Sequence, residues 1–454
     1  MPAWFPSVSQ HFLVATAALL FYIVRARARD ERRAPAAAIA WVMGLALLPY
    51  LMLPLYLMFG QRKLKVSLCP IARPAPAHAY WAAELLESLG LDPPTNVRVR
   101  LHADGIEARD ALWSVIDSAR ERLDLCTYLI GNDEFGRAAL ARLAKRARAG
   151  VRVRLLVDGW GGWSAPRNSL KVLQEAGAKI VIFKPLFSMR RLGPRNLRNH
   201  RKLTIADGQR LWAGGRNLAA EYFSGGVGVT PWIDLSFDLE GGVAAAAAAQ
   251  FDADWEAAFG EGAAAAPSAP PPLIENGTPA QFLPSGPDQT EDTAHALLID
   301  ACFRTRRRLL AVTPYFVPDH SLLTALRLAA RRGAQVTLLI PARSNHPLTD
   351  FVRDRALRDL AAAGATIRLL PGMIHAKAVV VDDALAMCGS INLDQRSLLL
   401  NYESAVLFYG TTEIAWLARW LEALAATGQD YTPQRPGLVR DIAEGLLLTV
   451  AFQL

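Results

Sequence analysis

Asn199-His200-Arg201-Lys202-Leu203-Thr204-Ile205-Ala206-Asp207 and Ile374-His375-Ala376-Lys377-Ala378-Val379-Val380-Val381-Asp382 are two copies of one pattern, H-x-K-x-x-x-x-D, set 175 residues apart. With eight His and few Lys in the chain, roughly 0.01 such matches are expected by accident, so a pair of them marks an internal duplication. The agreement continues downstream. Counting from each histidine, Gly stands at +14 (Gly214, Gly389), a small residue at +15 (Gly215, Ser390) and Asn at +17 (Asn217, Asn392). An acid follows at +28 in the second copy (Glu403) and at +34 in the first (Asp234), where the Gly-rich Ser224 to Val229 reads as an added loop.

Outward from the motifs, the chain alternates between strand-like and helix-like patterns. Leu123 to Ile130, Phe135 to Ala149 and Val151 to Val157 read as strand, helix and strand, and the order returns at Leu309 to Phe316, Ser321 to Arg332 and Gln335 to Ile340. That is βαβ order, which predicts an α/β body of two lobes. We place the first lobe at 95–260 and the second at 285–434, joined by an Ala/Pro-rich linker at 261–284. Residues 67–94 read as a connector and 435–454 as a C-terminal amphipathic segment.

The amino terminus differs in kind. Trp4 to Val24 and Pro35 to Gly60 carry no charge and are each long enough to cross a bilayer, so 1–66 reads as a two-helix transmembrane hairpin. Five arginines fill the loop between them and three cations follow the second span. The charge step across the first span predicts the loop inside and the large domain outside.

Composition limits the partners. The chain has 454 residues, a net charge of +8 and positive mean hydropathy, yet six of the eight excess charges lie in residues 1–66. The rest of the protein is near neutral, which argues against a nucleic-acid partner. The stretch Arg190 to Lys202 holds six cations and no acid. It reads either as a solvated face or as a grip on anionic head groups. Cys69, Cys126, Cys302 and Cys388 have no metal-ligand spacing, so no metal site or cofactor is expected. His11, His78, His102, His295, His320 and His346 stand outside any motif and read as structural or surface residues.

In an extended chain, residues two apart share a face, so His200 points with Lys202 and His375 with Lys377. Asp207 and Asp382 fall at odd parity, on the other face, bracing the site or the following turn. The chain uses Arg almost throughout, and Lys377 is its sole lysine after Lys202, so those positions favour a compact ammonium over a planar fork. Two imidazoles, two ammoniums and two amides suit displacement at a phosphodiester. One neutral His attacks phosphorus, a protonated one serves the leaving alkoxide, and Lys and Asn stabilise the non-bridging oxygens. A carboxylate such as Glu403 or Asp234 would hold an imidazole tautomer.

These motifs, with Gly389 to Ser397 (GSINLDQRS), Asn401-Tyr402-Glu403, Thr313 to Pro318 (TPYFVP) and Trp232-Ile233-Asp234, resemble the phospholipase D superfamily, and within it the bacterial cardiolipin synthases. The resemblance implies two phospholipase D-like lobes with the active site at their interface. Its implied catalytic residues are His200, Lys202, Asp207, His375, Lys377 and Asp382, with Asn217, Asp234, Ser390, Asn392 and Glu403 supporting or binding phosphate. It further implies a multi-pass protein of the bacterial cytoplasmic membrane. Such a protein needs no metal and passes a phosphatidyl group from one phosphatidylglycerol to another through a phosphohistidine, releasing glycerol. His200 would be the nucleophile and His375 the acid, although the near symmetry of the motifs permits the reverse. The alternative is a membrane-bound phosphodiesterase of the same superfamily, a lipid hydrolase or nuclease. Gly215, where its twin is Ser390, departs from the pattern and leaves the first half one hydroxyl short.

Overall fold

The computed structural model describes residues 7–28, 35–60, 62–63, 79–184, 196–226, 228, 230–259 and 271–448. Its centre is one continuous sheet, fifteen strands wide among the described residues. Each lobe supplies seven strands in the same spatial order. In the first lobe, Arg122–Thr127, Arg152–Asp158 and Lys179–Phe183 are parallel. The hairpin Leu203–Ala206 and Arg210–Gly214, then Ser236–Gly241 and Thr95–His102, continue antiparallel. In the second lobe, Arg308–Val312, Gln335–Pro341 and Thr366–Leu370 are the parallel set. Ala378–Val381, Leu385–Gly389, Glu403–Phe408 and Thr278–Ser285 are the antiparallel one. The two first strands, Thr95–His102 and Thr278–Ser285, pair antiparallel and close the seam between lobes, so the duplicated α/β organisation read from the motifs is present.

Local sequence explains the elements. The inner parallel strands Arg122–Thr127, Arg152–Asp158 and Arg308–Val312 are buried along almost their whole length, as strands covered on both faces must be. Helices Gly105–Ser118, Glu134–Arg148 and His320–Arg331 start at Asp104, Asp133 and Asp319, whose carboxylates accept backbone N–H groups of the first turn. One apolar cluster runs through the seam, packing Phe237, Phe251 and Trp255 of the first lobe with Val380, Val406 and Phe408 of the second. Such continuity holds two lobes as one rigid unit.

The linker boundary differs from expectation, and the connector and C-terminal segment each hold a helix that packs on the body. All of strand Thr278–Ser285 but its last residue lies inside the stretch read as linker; Pro279 and Pro284 sit in it, and proline composition hid a strand that supplies a whole edge of the seam. In the connector, helix Trp81–Ser88 buries Ala82, Ala83 and Leu86 in the core of the second lobe, although it precedes the first in sequence. In the C-terminal segment, helix Leu438–Leu448 is tied down by buried Glu444, which ion-pairs with Arg358 and Arg440. Leu438, Val439, Ile442 and Leu446 of that helix are exposed.

The transmembrane hairpin is corrected. Val8–Ala28 forms one helix, of which Val8–Arg27 is long and apolar enough to cross a membrane. The second apolar stretch forms two shorter helices, Pro35–Leu47 and Pro49–Phe59. Proline has no N–H to donate and disfavours helical geometry in the residue before it, and Leu48 is held at φ −134°, ψ 55°. The chain doubles back there: Trp41 and Tyr56 rings lie 5.3 Å apart, although an unbroken helix would separate them by about 22 Å. His11 meets Tyr50, and Tyr22 meets Tyr56, so the third helix runs parallel to the first. The body therefore joins at the end of the first helix that carries Arg25 and Arg27, not at the opposite end as two full crossings would require. Arg62 and Lys63 just beyond it pair with Asp292.

Candidate active site

Each histidine sits on a short extended segment that crosses to the other lobe. Asn199 pairs with Tyr402 and Ile374 with Ile233 in isolated parallel bridges. The His200 N–H donates to the Tyr402 carbonyl (2.8 Å), and the His375 N–H to the Ile233 carbonyl (2.7 Å). The residues after those carbonyls are Glu403 and Asp234. His200 Nδ1 lies 2.9 and 3.0 Å from the two Glu403 oxygens, and His375 Nδ1 lies 2.7 Å from Asp234 Oδ2. Each ring is thus fixed by a carboxylate from the opposite lobe, with Nδ1–H donating, which leaves Nε2 as the reactive nitrogen. Both rings line one cavity of about 750 Å³ at the lobe interface, together with Asn217 and Asn392. Tyr128 packs edge-on against His200 and Tyr222 against His375.

Electrostatics follow from burial. Desolvation disfavours the imidazolium and brings His200 down to about 4 and His375 to about 3, against the upward pull of the carboxylates. Glu403 and Asp234 are buried, a change that alone would raise them, yet their histidine and lysine partners hold both below the usual carboxylate range. The lysines lie behind the rings, almost wholly buried. Lys202 Nζ donates to the His200 carbonyl (2.8 Å) and Lys377 Nζ to that of His375. Lys377 Nζ also lies 2.9 Å from His375 Nδ1. Burial lowers Lys202 to about 8 and Lys377 to about 7.

The third motif residues are corrected. Asp207 and Asp382 are not in the cavity; they stand beyond the far end of the motif strands, with φ of +55° and +50°. Asp207 accepts the backbone N–H groups of Arg120, Glu121 and Arg122 at 2.8 to 2.9 Å. Asp382 accepts those of Arg306, Arg307 and Arg308 at 2.8 to 2.9 Å. They anchor the first parallel strand of each lobe, as their odd parity suggested.

The Gly215/Ser390 difference has a steric cause. Ser390 Oγ donates to Glu403. A Cβ at Gly215 would lie 2.2 Å from Asp234 Oδ1, because the shorter Asp side chain holds its carboxylate closer to the backbone. A similar close approach fixes Gly389, whose Cβ would meet the Ser404 carbonyl at 2.3 Å.

Several site residues stand outside the fixed positions of the H-x-K-x-x-x-x-D pattern, among them Tyr315 of TPYFVP and Arg396 of GSINLDQRS. Arg201, the variable residue of the first motif, is fully buried. It ion-pairs with Asp254 and Asp288 and donates to the Glu403 carbonyl (2.9 Å), so it ties both lobes together behind His200. Arg198, Tyr315 and Arg396 line the cavity. His346, read as structural, lines it too. Among the described residues no group of His, Cys, Asp and Glu is arranged to hold a metal ion.

The chain is similar to known proteins across both lobes. The profile of the family described as cardiolipin synthase, PLD-like domain, matches residues 112–255 and 298–425, one range in each lobe. Cardiolipin synthase A of Pseudomonas putida (strain W619) is 33% identical over 401 residues, which cover 82% of this chain and 82% of that protein. Cardiolipin synthase A of Pseudomonas aeruginosa (strain LESB58) is 30% identical over 438 residues, 90% of this chain and 88% of that one. The crystal structure of phosphatidylserine synthase from Haemophilus influenzae Rd KW20 superposes with a TM-score of 0.63 at 15% identity, covering 82% of this chain and 100% of that chain, and so shares the fold. The chain therefore belongs to the cardiolipin synthase family, phosphatidyltransferases of the phospholipase D superfamily.

Proposed function

We propose that this protein makes cardiolipin by moving a phosphatidyl group from one phosphatidylglycerol to another through a phosphohistidine. The observation that carries the reading is the pair of imidazoles in one cavity, each held by a carboxylate of the opposite lobe. In the first step His200 Nε2 forms a bond to phosphorus as the bond to the glycerol oxygen breaks, and His375 gives its Nε2 proton to that oxygen. In the second, the acceptor hydroxyl passes its proton to His375, its oxygen bonds to phosphorus, and the N–P bond breaks. Glu403 stabilises the charge that grows on His200, and Asp234 does the same for His375. Asn217 and Asn392 line the cavity and face the charge on the non-bridging oxygens, and the buried cations Lys202 and Lys377, behind the rings, offset that charge through space.

Both rings are neutral in the free site near pH 7. The acid's proton is taken up with the anionic phosphodiester, whose negative charge offsets the two ammoniums and raises the neighbouring imidazole. The helix Val8–Arg27 holds the site at the cytoplasmic membrane of a bacterium, where donor and acceptor lipids are found.

Purified protein given phosphatidylglycerol in detergent is expected to release glycerol in step with cardiolipin. Release of phosphatidic acid without cardiolipin would move the protein to the hydrolases.

A further inference from the structure

The catalytic residues obey the two-fold that relates the lobes, but the arginines of the cavity break it. Two residues before the histidines stand Arg198 and Met373; twenty-one residues after them stand Glu221 and Arg396. At the 175-residue offset between the motifs, Arg198 corresponds to Met373 and Arg396 to Glu221. Arg198 and Arg396 line the cavity, and Met373 and Glu221 are not among its lining residues. The reacting centre is symmetric, and one side of its surroundings carries two arginines and, among the described residues, a single lining carboxylate, Asp394.

Those two arginines converge on one segment. The Arg396 Nη2 donates to the Asn196 carbonyl (2.7 Å). Arg198, 5% exposed, donates to the carbonyls of Leu197 and Lys184 and lies 3.4 Å from Asp158. Asp158 already accepts the backbone N–H groups of Asn199, Trp160 and Gly161, so its charge is shared. Asp394 stands near Arg396 and is pushed up to about 6 by burial. Lys184 is close to Arg198; burial lowers it to about 7, and its Nζ has no hydrogen-bond partner among the described residues. Like charges gathered out of water favour an anion that completes them, and guanidinium forks match the oxygens of a phosphate.

We propose that Arg198 and Arg396 form a second phosphate subsite, which holds the phosphodiester of the acceptor lipid while its glycerol hydroxyl reaches the phosphatidyl-histidine. This rests on the phosphatidyl-transfer reading above and adds what selects the acceptor. The reaction joins two lipids that each carry a phosphate, and the cavity of about 750 Å³ has room for both head groups. A bound acceptor phosphate places the hydroxyl within one glycerol length of phosphorus and disfavours water.

The test uses full-length protein in detergent with phosphatidylglycerol as donor and two soluble labelled acceptors, glycerol and glycerol 3-phosphate. The wild type is expected to prefer glycerol 3-phosphate. Loss of a charge-assisted contact in Arg396→Gln should lower the ratio of kcat/KM for glycerol 3-phosphate to kcat/KM for glycerol by about tenfold to a hundredfold. Arg198→Gln should shift the ratio the same way, and Arg396→Lys, which keeps the charge, should retain part of the preference. Melting curves of each variant separate this from unfolding, which lowers both rates together. Equal loss on both acceptors, no loss on either, or a wild type without preference would each overturn the subsite. Failure to make cardiolipin from phosphatidylglycerol alone would instead count against the synthase reading, because the ratio of soluble acceptors does not depend on that product.

Discussion

Replacing Glu403 by Gln isolates the charge that holds His200. The carboxylate accepts on both oxygens: Oε1 from His200 Nδ1 (2.9 Å) and Asn401 Nδ2 (3.3 Å), Oε2 from Ser390 Oγ. A Gln side chain can keep this geometry. Its carbonyl takes the Oε1 position, and its amide turns to Ser390, whose hydroxyl proton moves to the Ser404 carbonyl 3.1 Å away. Shape and tautomer survive, and the negative charge does not. In the transition state for attack, the imidazole becomes positive about 4 Å from that lost charge. Coulomb attraction at an effective dielectric of about 20 bounds the loss near 4 kcal/mol, and the margin of a charge-assisted over a neutral hydrogen bond sets a floor of about 1 to 2 kcal/mol. Glu403→Gln should therefore slow turnover by roughly 10- to 1000-fold. The assay is the initial rate of glycerol release from labelled phosphatidylglycerol, with the melting temperature measured beside it. A well-folded variant within threefold of wild type would refute the role given to Glu403.

Asp382→Ala removes an acceptor shared by three backbone N–H groups, and it should cost about 1 to 3 kcal/mol of stability in a denaturant titration while leaving kcat near wild type well below the melting point; a large fall in kcat at full folding would put this residue back in the chemistry. Gly215→Ser drives a Cβ into the Asp234 carboxylate and should displace His375, abolishing activity, although it copies the residue found at 390; retained activity would contradict the steric account. Stability should fall as pH drops below 6.5, because His200 and His375 stay neutral until about 4 and 3 when folded and take up protons near 6.5 when unfolded. Asp234 and Glu403, depressed below their ordinary values, add to the same slope, so a melting temperature unchanged between pH 7 and 4.5 would show that these groups are not buried as described.

The duplication, the two imidazoles and the two ammoniums were legible because spacing along one strand decides them. The pairing of Glu403 with His200 and of Asp234 with His375 was not: both acids could be named, but which ring each reaches depends on how the lobes cross. Arg201 shows the same limit. Its partners Asp254 and Asp288 lie on a helix and a loop far along the chain, and the second motif has Ala376 in its place, so repetition hid it. Asp207 and Asp382 repeat as faithfully as the histidines, but their service is to strand starts, and repetition does not separate support from chemistry. Pro49 was visible within a long apolar run, whose length argued for a span. The break at Leu48 wins because the lost N–H and the restricted preceding residue act locally, whatever the hydropathy around them.

Trapping the covalent intermediate tests the central claim most directly. Protein mixed with phosphatidylglycerol labelled in phosphorus, quenched within one turnover and mapped by peptide, should carry an acid-labile label on His200, and His200→Ala should carry none. Label on His375 alone would reverse the two roles, and a turnover-competent enzyme that acquires no label on either ring would contradict phosphoryl transfer through histidine.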